Sequence, residues 1–345
     1  MLARIQIARQ VLTWKWINDQ RTPLELVSSD LQGKSVVITG SNRGVGFEAA
    51  KHFAEMHVDK LILACRNVEA GNLAAKQISE ATGCTSVVCW PLDLGSFASV
   101  CTFASRIRDE NIRIDILVGN AAIMGSKLST TEDGWEEMLQ VNYLSNVLLT
   151  ILLLPSLSCP AAHSNTGRPR IILLSSEAHA LISRLAEADS PRILSKLNDR
   201  EYCSKAVMEQ RYFVSKLFVL FFSRELARLV NSDTGPIVVT VTPGLCNSDL
   251  DIESTTSPLM RHIKRASMSF IGRTPEMGSR TIVNAVTAIE GPIEHGKYLA
   301  SCRVERESDF CLSREGTTVQ TRLWEETMQI LQKVDDRIEA ILRDV

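Results

Sequence analysis

The sequence predicts a doubly wound α/β fold, a single domain with a mostly parallel sheet and helices on both faces. Two observations carry this. Short β-branched runs alternate with helix-period segments from Leu31 onward, and that alternation feeds parallel strands through helical crossovers. A glycine-rich turn joins the first such run to the first helical segment. No internal repeat or Pro/Gly/Ser-rich linker cuts the 345 residues into two domains.

Ser35–Thr39 reads as the first buried strand and 45–56 as the helix after it. Lys60–Cys65 is a second strand, and 68–82 a helix. Residues 86–90 form a third strand, 96–111 a helix, and 114–118 a fourth strand. A long helix is expected over 135–154, ended by Pro155, then a fifth strand over Arg170–Leu174. A helix over 212–230, strands over 237–241 and 297–300, and a helix over 324–343 complete the chain. Two stretches break the alternation, 177–211 and 246–273.

Composition excludes several classes. Lys plus Arg number 38 against 40 Asp plus Glu, a net charge of −2, so no basic field gathers nucleic acid. Nine scattered cysteines include no Cys-x-x-Cys pair. They read as reduced thiols of a cytoplasmic protein, with no disulfide framework and no metal site. No run of about 18 apolar residues marks a transmembrane segment. Residues 1–30 read as an N-terminal amphipathic helical extension, with Leu2, Ile5, Leu12 and Ile17 near helical spacing. That helix packs on its own domain, or residues 1–19 touch a membrane surface.

The turn Gly40-Ser41-Asn42-Arg43-Gly44-Val45-Gly46 lies between strand and helix. Gly40 suits the tight turn and Gly44 a close approach to a pyrophosphate. Gly46 suits tight helix–sheet packing. The phosphate is then met by helix N-terminal N–H groups. At the end of the second strand the acidic residue that grips the ribose hydroxyls of NAD is missing. Arg66 stands there, and Arg43 lies in the turn. Two guanidinium groups suit a 2′-phosphate, which selects NADP(H).

Hydride transfer to a carbonyl leaves an oxygen that needs a proton, so a positioned acid is required. Tyr212 and Lys216 stand four apart, on one face of a helix, where a cation stabilises a phenolate. Ser176 follows the fifth strand, and Ser175 points the other way if the strand continues. Pro243-Gly244 ends the sixth strand and turns the chain toward a cofactor.

The Thr-Gly-x-x-x-Gly-x-Gly spacing, with Tyr212-x-x-x-Lys216 between the fifth and sixth strands, resembles the short-chain dehydrogenase/reductase family and its Rossmann fold, over about 33–300. The resemblance implies a catalytic set of Asn142, Ser176, Tyr212 and Lys216. Asn142 kinks its helix and places a water that relays protons to the lysine. The lysine also holds the nicotinamide ribose. By the same resemblance Asp93 and Leu94 hold the adenine, Asn120 and Ala121 line the cofactor, and Ser248 contacts the carboxamide. Gly119 and Ala122 depart from the family's Asn-Asn-Ala-Gly. Ser175-Ser176-x-x-His179 and the extended 177–211 segment look like fungal members of the retinol-dehydrogenase-like group, many of which act on polyketide or terpenoid intermediates.

The implied activity interconverts a ketone and a secondary alcohol on a bulky lipophilic molecule. The segments 177–211 and 246–273 are expected to roof the cleft as a lid, lined by Leu181, Ile182, Leu185, Ile193, Leu259, Met260 and Phe270. A retinol-like or aldehyde reductase, or a catalytically silent NADP(H)-sensing module, is the alternative. Family members dimerise through the helices carrying Asn142 and Tyr212. The chain is a homodimer, or a monomer if the N-terminal helix or the lid covers that face.

Overall fold

The computed structural model describes residues 14–157, 167–230, 233–247, 272–287 and 295–344. Ser248, Leu259, Met260, Phe270 and residues 1–13 lie outside the described residues, as do the side chains of 14–17.

One eight-stranded sheet organises the chain, in the order β3-β2-β1-β4-β5-β6-β7-β8. Its strands are β1 Ser35–Thr39, β2 Lys60–Cys65, β3 Val87–Pro91, β4 Ile116–Gly119, β5 Arg170–Leu174, β6 Ile237–Thr242, β7 Tyr298–Ala300 and β8 Arg303–Val304. All neighbours pair in parallel except β7 with β8. The order reverses between β1 and β4, and such a switch point opens a crevice beyond the strand C-termini.

The strands read as near-continuous apolar runs because both faces are covered. Val37, Ile62, Leu117, Ile171 and Val238 enter one core. Their neighbours Val36, Ile38, Leu61, Leu63, Ile116, Ile172 and Val239 enter the other. On that second face lie α2 Gly44–Glu55, α3 Val68–Thr82 and α8 Pro275–Thr287. On the first lie α4 Phe97–Asp109, α5 Ser145–Leu153, α7 Lys205–Leu229 and, outside them, α9 Arg314–Leu331 and α10 Arg337–Arg343. α1 is Trp14–Arg21 and α6 is Ile193–Leu197. α9 packs on α7, and α10 on α5. It is these C-terminal helices, and not α1 of the N-terminal extension, that pack there.

Several elements differ from expectation, among them α8 Pro275–Thr287, a helix unpredicted between the strands at 237–241 and 297–300. The Tyr212 helix begins at Lys205, seven residues early, because Met208 and Arg211 continue its buried face. The C-terminal helix breaks at 332–336, where Asp335 accepts from the Arg337 N–H at 3.0 Å and ends the regular winding. β8 goes unpredicted because Ser301 and Cys302 form its turn at φ 53° and 59°, where glycine or asparagine is the usual signal. The long helix over 135–154 is interrupted by a π-turn over Gln140–Leu144. The stretch Glu137–Leu157 is long and apolar enough to cross a membrane, but 94% of its most apolar window is buried inside the fold.

Ile182, Leu185 and Ile193 of the segment 177–211, expected to line a cleft, are buried in the core instead. The segment carries short 3₁₀ turns and α6, and Leu194 and Leu197 join the same core beneath α9. Glu326 on α9 caps α6, accepting from the N–H groups of Leu194 and Ser195 at 3.0 and 3.1 Å. Buried Arg211 donates to the Leu197 carbonyl at 2.8 Å and stands 3.5 Å from Glu136. The other irregular segment is pinched at its base. Asn247 N–H donates to the Arg273 carbonyl and Arg273 N–H to the Leu245 carbonyl, each at 2.8 Å.

Candidate active site

The glycine turn sits at the C-terminal end of β1 and opens α2. Gly44 has φ +65°, and a Cβ there would meet nothing within 4 Å, so the backbone borders open space. Together with the N-terminal amides of α2 this forms a cradle fit for a pyrophosphate. Gly40 has φ +64°, and its Cβ would strike Ala121 at 2.9 Å. Gly46 differs from the expectation of helix–sheet packing. A Cβ there would lie 2.5 Å from Asn120 Nδ2. That amide donates to the carbonyls of Thr39 (2.8 Å) and Gly40 (3.1 Å), so Asn120 clamps the turn itself. Ala121 N–H donates to Thr39 Oγ1 at 2.9 Å, a second stitch between β1 and β4. Ser41 is buried and donates to the Ile38 carbonyl at 3.0 Å.

Around the crevice rim, Arg43 is exposed in extended backbone before α2, and Arg66 is exposed just after β2. Asn42 and Val45 are half-buried between them. Asp93 folds its carboxylate onto the Gly95 N–H at 2.8 Å, and Leu94 is buried.

Asn142 lies in the π-turn. Its Oδ1 accepts from the Ile123 N–H at 2.8 Å, and its Nδ2 donates to the Ile123 carbonyl at 2.9 Å and to Ser215 Oγ at 3.0 Å. Ser215 Oγ donates in turn to the Tyr212 carbonyl at 2.7 Å. Asn142 therefore binds the loop after β4 to the helix that carries Tyr212 and Lys216.

Sequence reasoning missed Asn146. Ser145 N–H reaches back five residues to the Gln140 carbonyl. When such a turn returns to four-residue spacing, one carbonyl at the step is left without a backbone donor. Asn146 Nδ2 donates to the Val141 carbonyl at 2.7 Å and fills that need. Its side chain also faces Gly119, whose Cβ would come 3.4 Å from Asn146 Oδ1 and 3.0 Å from Leu173. The departure at Gly119 from the family's asparagine was the available signal. Asn146→Ala should cost about 1–3 kcal/mol by stranding a buried carbonyl. The melting temperature should then fall by several degrees; an unchanged melt would remove Asn146 from this role.

Lys216 is 3% exposed, and its Nζ donates to the Leu174 carbonyl at 2.8 Å. Nζ lies 5.7 Å from the Tyr212 ring centroid. Burial disfavours the ammonium and pulls its pKa down from 10.5 to about 8. Ser175 is buried and donates to the Lys216 carbonyl at 2.7 Å, away from the cleft, as alternation along the strand requires. Ser176 is half-buried, and its Oγ accepts from the Ala178 N–H at 3.2 Å, which leaves the hydroxyl proton to donate. His179 is 2% exposed and its Nδ1–H donates to the Ser176 carbonyl at 2.7 Å. Burial lowers its pKa, so it is neutral and serves to hold the Ser176 backbone. Pro243 and Gly244 follow β6, with Gly244 at φ +79°.

No group of three or more His, Cys, Asp or Glu side chains is placed to hold a metal among the described residues. Their eight cysteines form no disulfide.

A family model for short chain dehydrogenases matches residues 34–183. The short-chain dehydrogenase anuD of Penicillium roqueforti is 36% identical over 326 residues, spanning 92% of this chain and 82% of that protein. The short chain dehydrogenase/reductase dmxR8 of a Cryptosporiopsis species is 34% identical over 311 residues, 89% of this chain and 93% of its own. Among solved structures, the Pseudomonas aeruginosa RhlG/NADP active-site complex aligns with a TM-score of 0.53 at 25% identity, covering 78% of this chain and 95% of that one. The glycine turn that opens α2, the Tyr212–Lys216 pair after β5 and these likenesses agree: the chain is an oxidoreductase that belongs to the short-chain dehydrogenase/reductase family, with fungal proteins among its relatives.

Proposed function

We propose that the chain is an NADP(H)-dependent dehydrogenase/reductase that interconverts a ketone and a secondary alcohol on a bulky lipophilic small molecule, of the polyketide or terpenoid kind. The observation that carries the reading is the buried Lys216 beneath the Tyr212 ring, with Ser176 at the end of the adjoining strand. A silent sensor of NADP(H) has no use for a proton donor so arranged. Bound at the glycine turn, the cofactor supplies the hydride in reduction and accepts it in oxidation. Tyr212 donates the proton that the substrate oxygen takes up, and the Lys216 ammonium stabilises the phenolate left behind. The Ser176 hydroxyl hydrogen-bonds the substrate oxygen and orients it. Arg43 and Arg66 grip the 2′-phosphate. The RhlG complex carries NADP, which supports that choice. Free thiols throughout the described residues favour a reducing compartment, and we read the protein as cytoplasmic.

The direct test is oxidation of NADPH, then NADH, followed at 340 nm across bulky ketones and aldehydes. Turnover with NADPH on ketones supports the reading. NADPH binding with no turnover in either direction would instead favour the sensor.

The pH dependence follows from Lys216. Its ammonium is held below about pH 8 and lost above it. Carbonyl reduction should therefore show kcat/KM level on the acid side and falling as pH rises through about 8. A profile level to pH ~10 would remove the lysine from proton transfer. Stability runs the other way. The cost of burying the ammonium is fully present below about 8 and is relieved as pH climbs toward 10.5, where the unfolded state still binds the proton.

A further inference from the structure

Gln20, near the end of α1, is 4% exposed although it is a glutamine in an N-terminal extension. Its carboxamide reaches two loops at once. Nε2 donates to Glu177 Oε2 at 3.3 Å, and Oε1 accepts from the Leu245 N–H at 3.1 Å. Glu177 directly follows Ser176, and Leu245 directly follows Gly244. The fit is close: a Cβ on Gly244 would come within 2.9 Å of Gln20 Nε2 and 3.0 Å of its Oε1. The neighbouring residue reinforces the seat. Buried Arg273 donates to the Asp19 carbonyl at 2.5 Å, to Ser301 Oγ at 2.9 Å and to the Pro243 carbonyl at 3.4 Å. Arg303 pairs with the Asp19 carboxylate at 2.9 Å. Beyond α1 the strap is held along α8, where Leu24 N–H meets Met277 Sδ at 3.1 Å and Arg280 donates to the Leu24 carbonyl at 2.5 Å.

We propose that Gln20 is a positioning residue for the cofactor site, a clasp that fixes the Pro243–Leu245 loop against the Ser176–Glu177 loop. The proposal rests on the dinucleotide-binding reading above. One amide group satisfies both loops, so neither shifts without breaking a bond to the other. The N-terminal extension thereby becomes part of the site without touching substrate. It preorganises a loop whose ordering would otherwise be charged against cofactor binding.

The test uses the full chain and four proteins: wild type, Gln20→Ala, Gln20→Glu, and Gln20→Glu combined with Glu177→Gln. Gln20→Ala removes both bonds, and Gln20→Glu sets two carboxylates against each other. The double variant exchanges donor and acceptor, which restores the bond to residue 177 and keeps the acceptor for Leu245. Two readouts are taken: amide hydrogen exchange of 244–247 without cofactor, and NADPH affinity by fluorescence. Each single variant should speed exchange and weaken NADPH by about tenfold, as loss of one or two buried hydrogen bonds implies. The double variant should return both to within about threefold of wild type. Unchanged exchange in Gln20→Ala overturns the clasp. So does a double variant no better than Gln20→Glu in either readout, because a general loss of folding would not be repaired by the swap. A wild type that binds no NADPH defeats the dinucleotide reading, and the exchange result alone then judges the clasp.

Discussion

Tyr212→Phe is expected to reduce turnover by roughly 10²- to 10⁴-fold, the range that a positioned general acid contributes. The substitution removes one oxygen and keeps the ring, so the packing against Phe213, with centroids 6.3 Å apart, should persist. NADPH affinity and melting temperature should stay near those of the wild type. That split between rate and binding separates a proton donor from a half-buried tyrosine that merely packs. It is measured by steady-state reduction of the best ketone found at 340 nm, beside a fluorescence titration of NADPH. If Tyr212→Phe retains wild-type turnover, the proton comes from elsewhere and the assignment of the whole set falls with it. Lys216 provides no substitute, since its Nζ is turned onto the Leu174 carbonyl inside the fold.

The second large effect concerns the two arginines at the crevice rim. Removing both, as Arg43→Ala with Arg66→Ala, should raise the KM for NADPH by roughly 10²- to 10⁴-fold, since each charge-assisted contact to a phosphate contributes about 1.5–3 kcal/mol. The KM for NADH should change little, because NADH has no 2′-phosphate for them to grip. Both side chains lie on the surface, one before α2 and one after β2, so the fold should tolerate their loss. Measuring both cofactors on the same ketone gives the answer as a ratio. Equal losses for NADPH and NADH would mean that the arginines act on charge the two cofactors share, and the NADP(H) assignment would fail. Rising salt should weaken NADPH more than NADH in the wild type for the same electrostatic reason.

Much of the molecule was legible in the chain because its signals are local. A parallel strand buried on both faces must be apolar at consecutive positions, and β1, β2 and β5 are read from that requirement to the residue. Gly40 and Gly44 announce a backbone conformation that other residues avoid, and both have positive φ. Tyr212 and Lys216 share a helix face because helical geometry alone puts them there. The less legible parts depend on partners distant in the chain. The 177–211 segment looks irregular and charged. Its order comes from Glu326 and Arg322 on α9, more than a hundred residues later. Gly46 reads as a packing glycine, yet the group that needs its space is Asn120.

The sequence by itself determined the order of strands β1 to β7, the glycine turn and the Tyr212–Lys216 spacing, since each is written within a few residues by periodicity, backbone preference or spacing. Only the tertiary structure decided that Asn142 faces Ile123 and Ser215, that Asn146 completes the π-turn, and that Gln20 joins the loops after β5 and β6. Those are hydrogen bonds whose partners the sheet topology selects. A polar side chain carries no mark of which distant backbone group it will meet; that meeting is set when the strands close side by side.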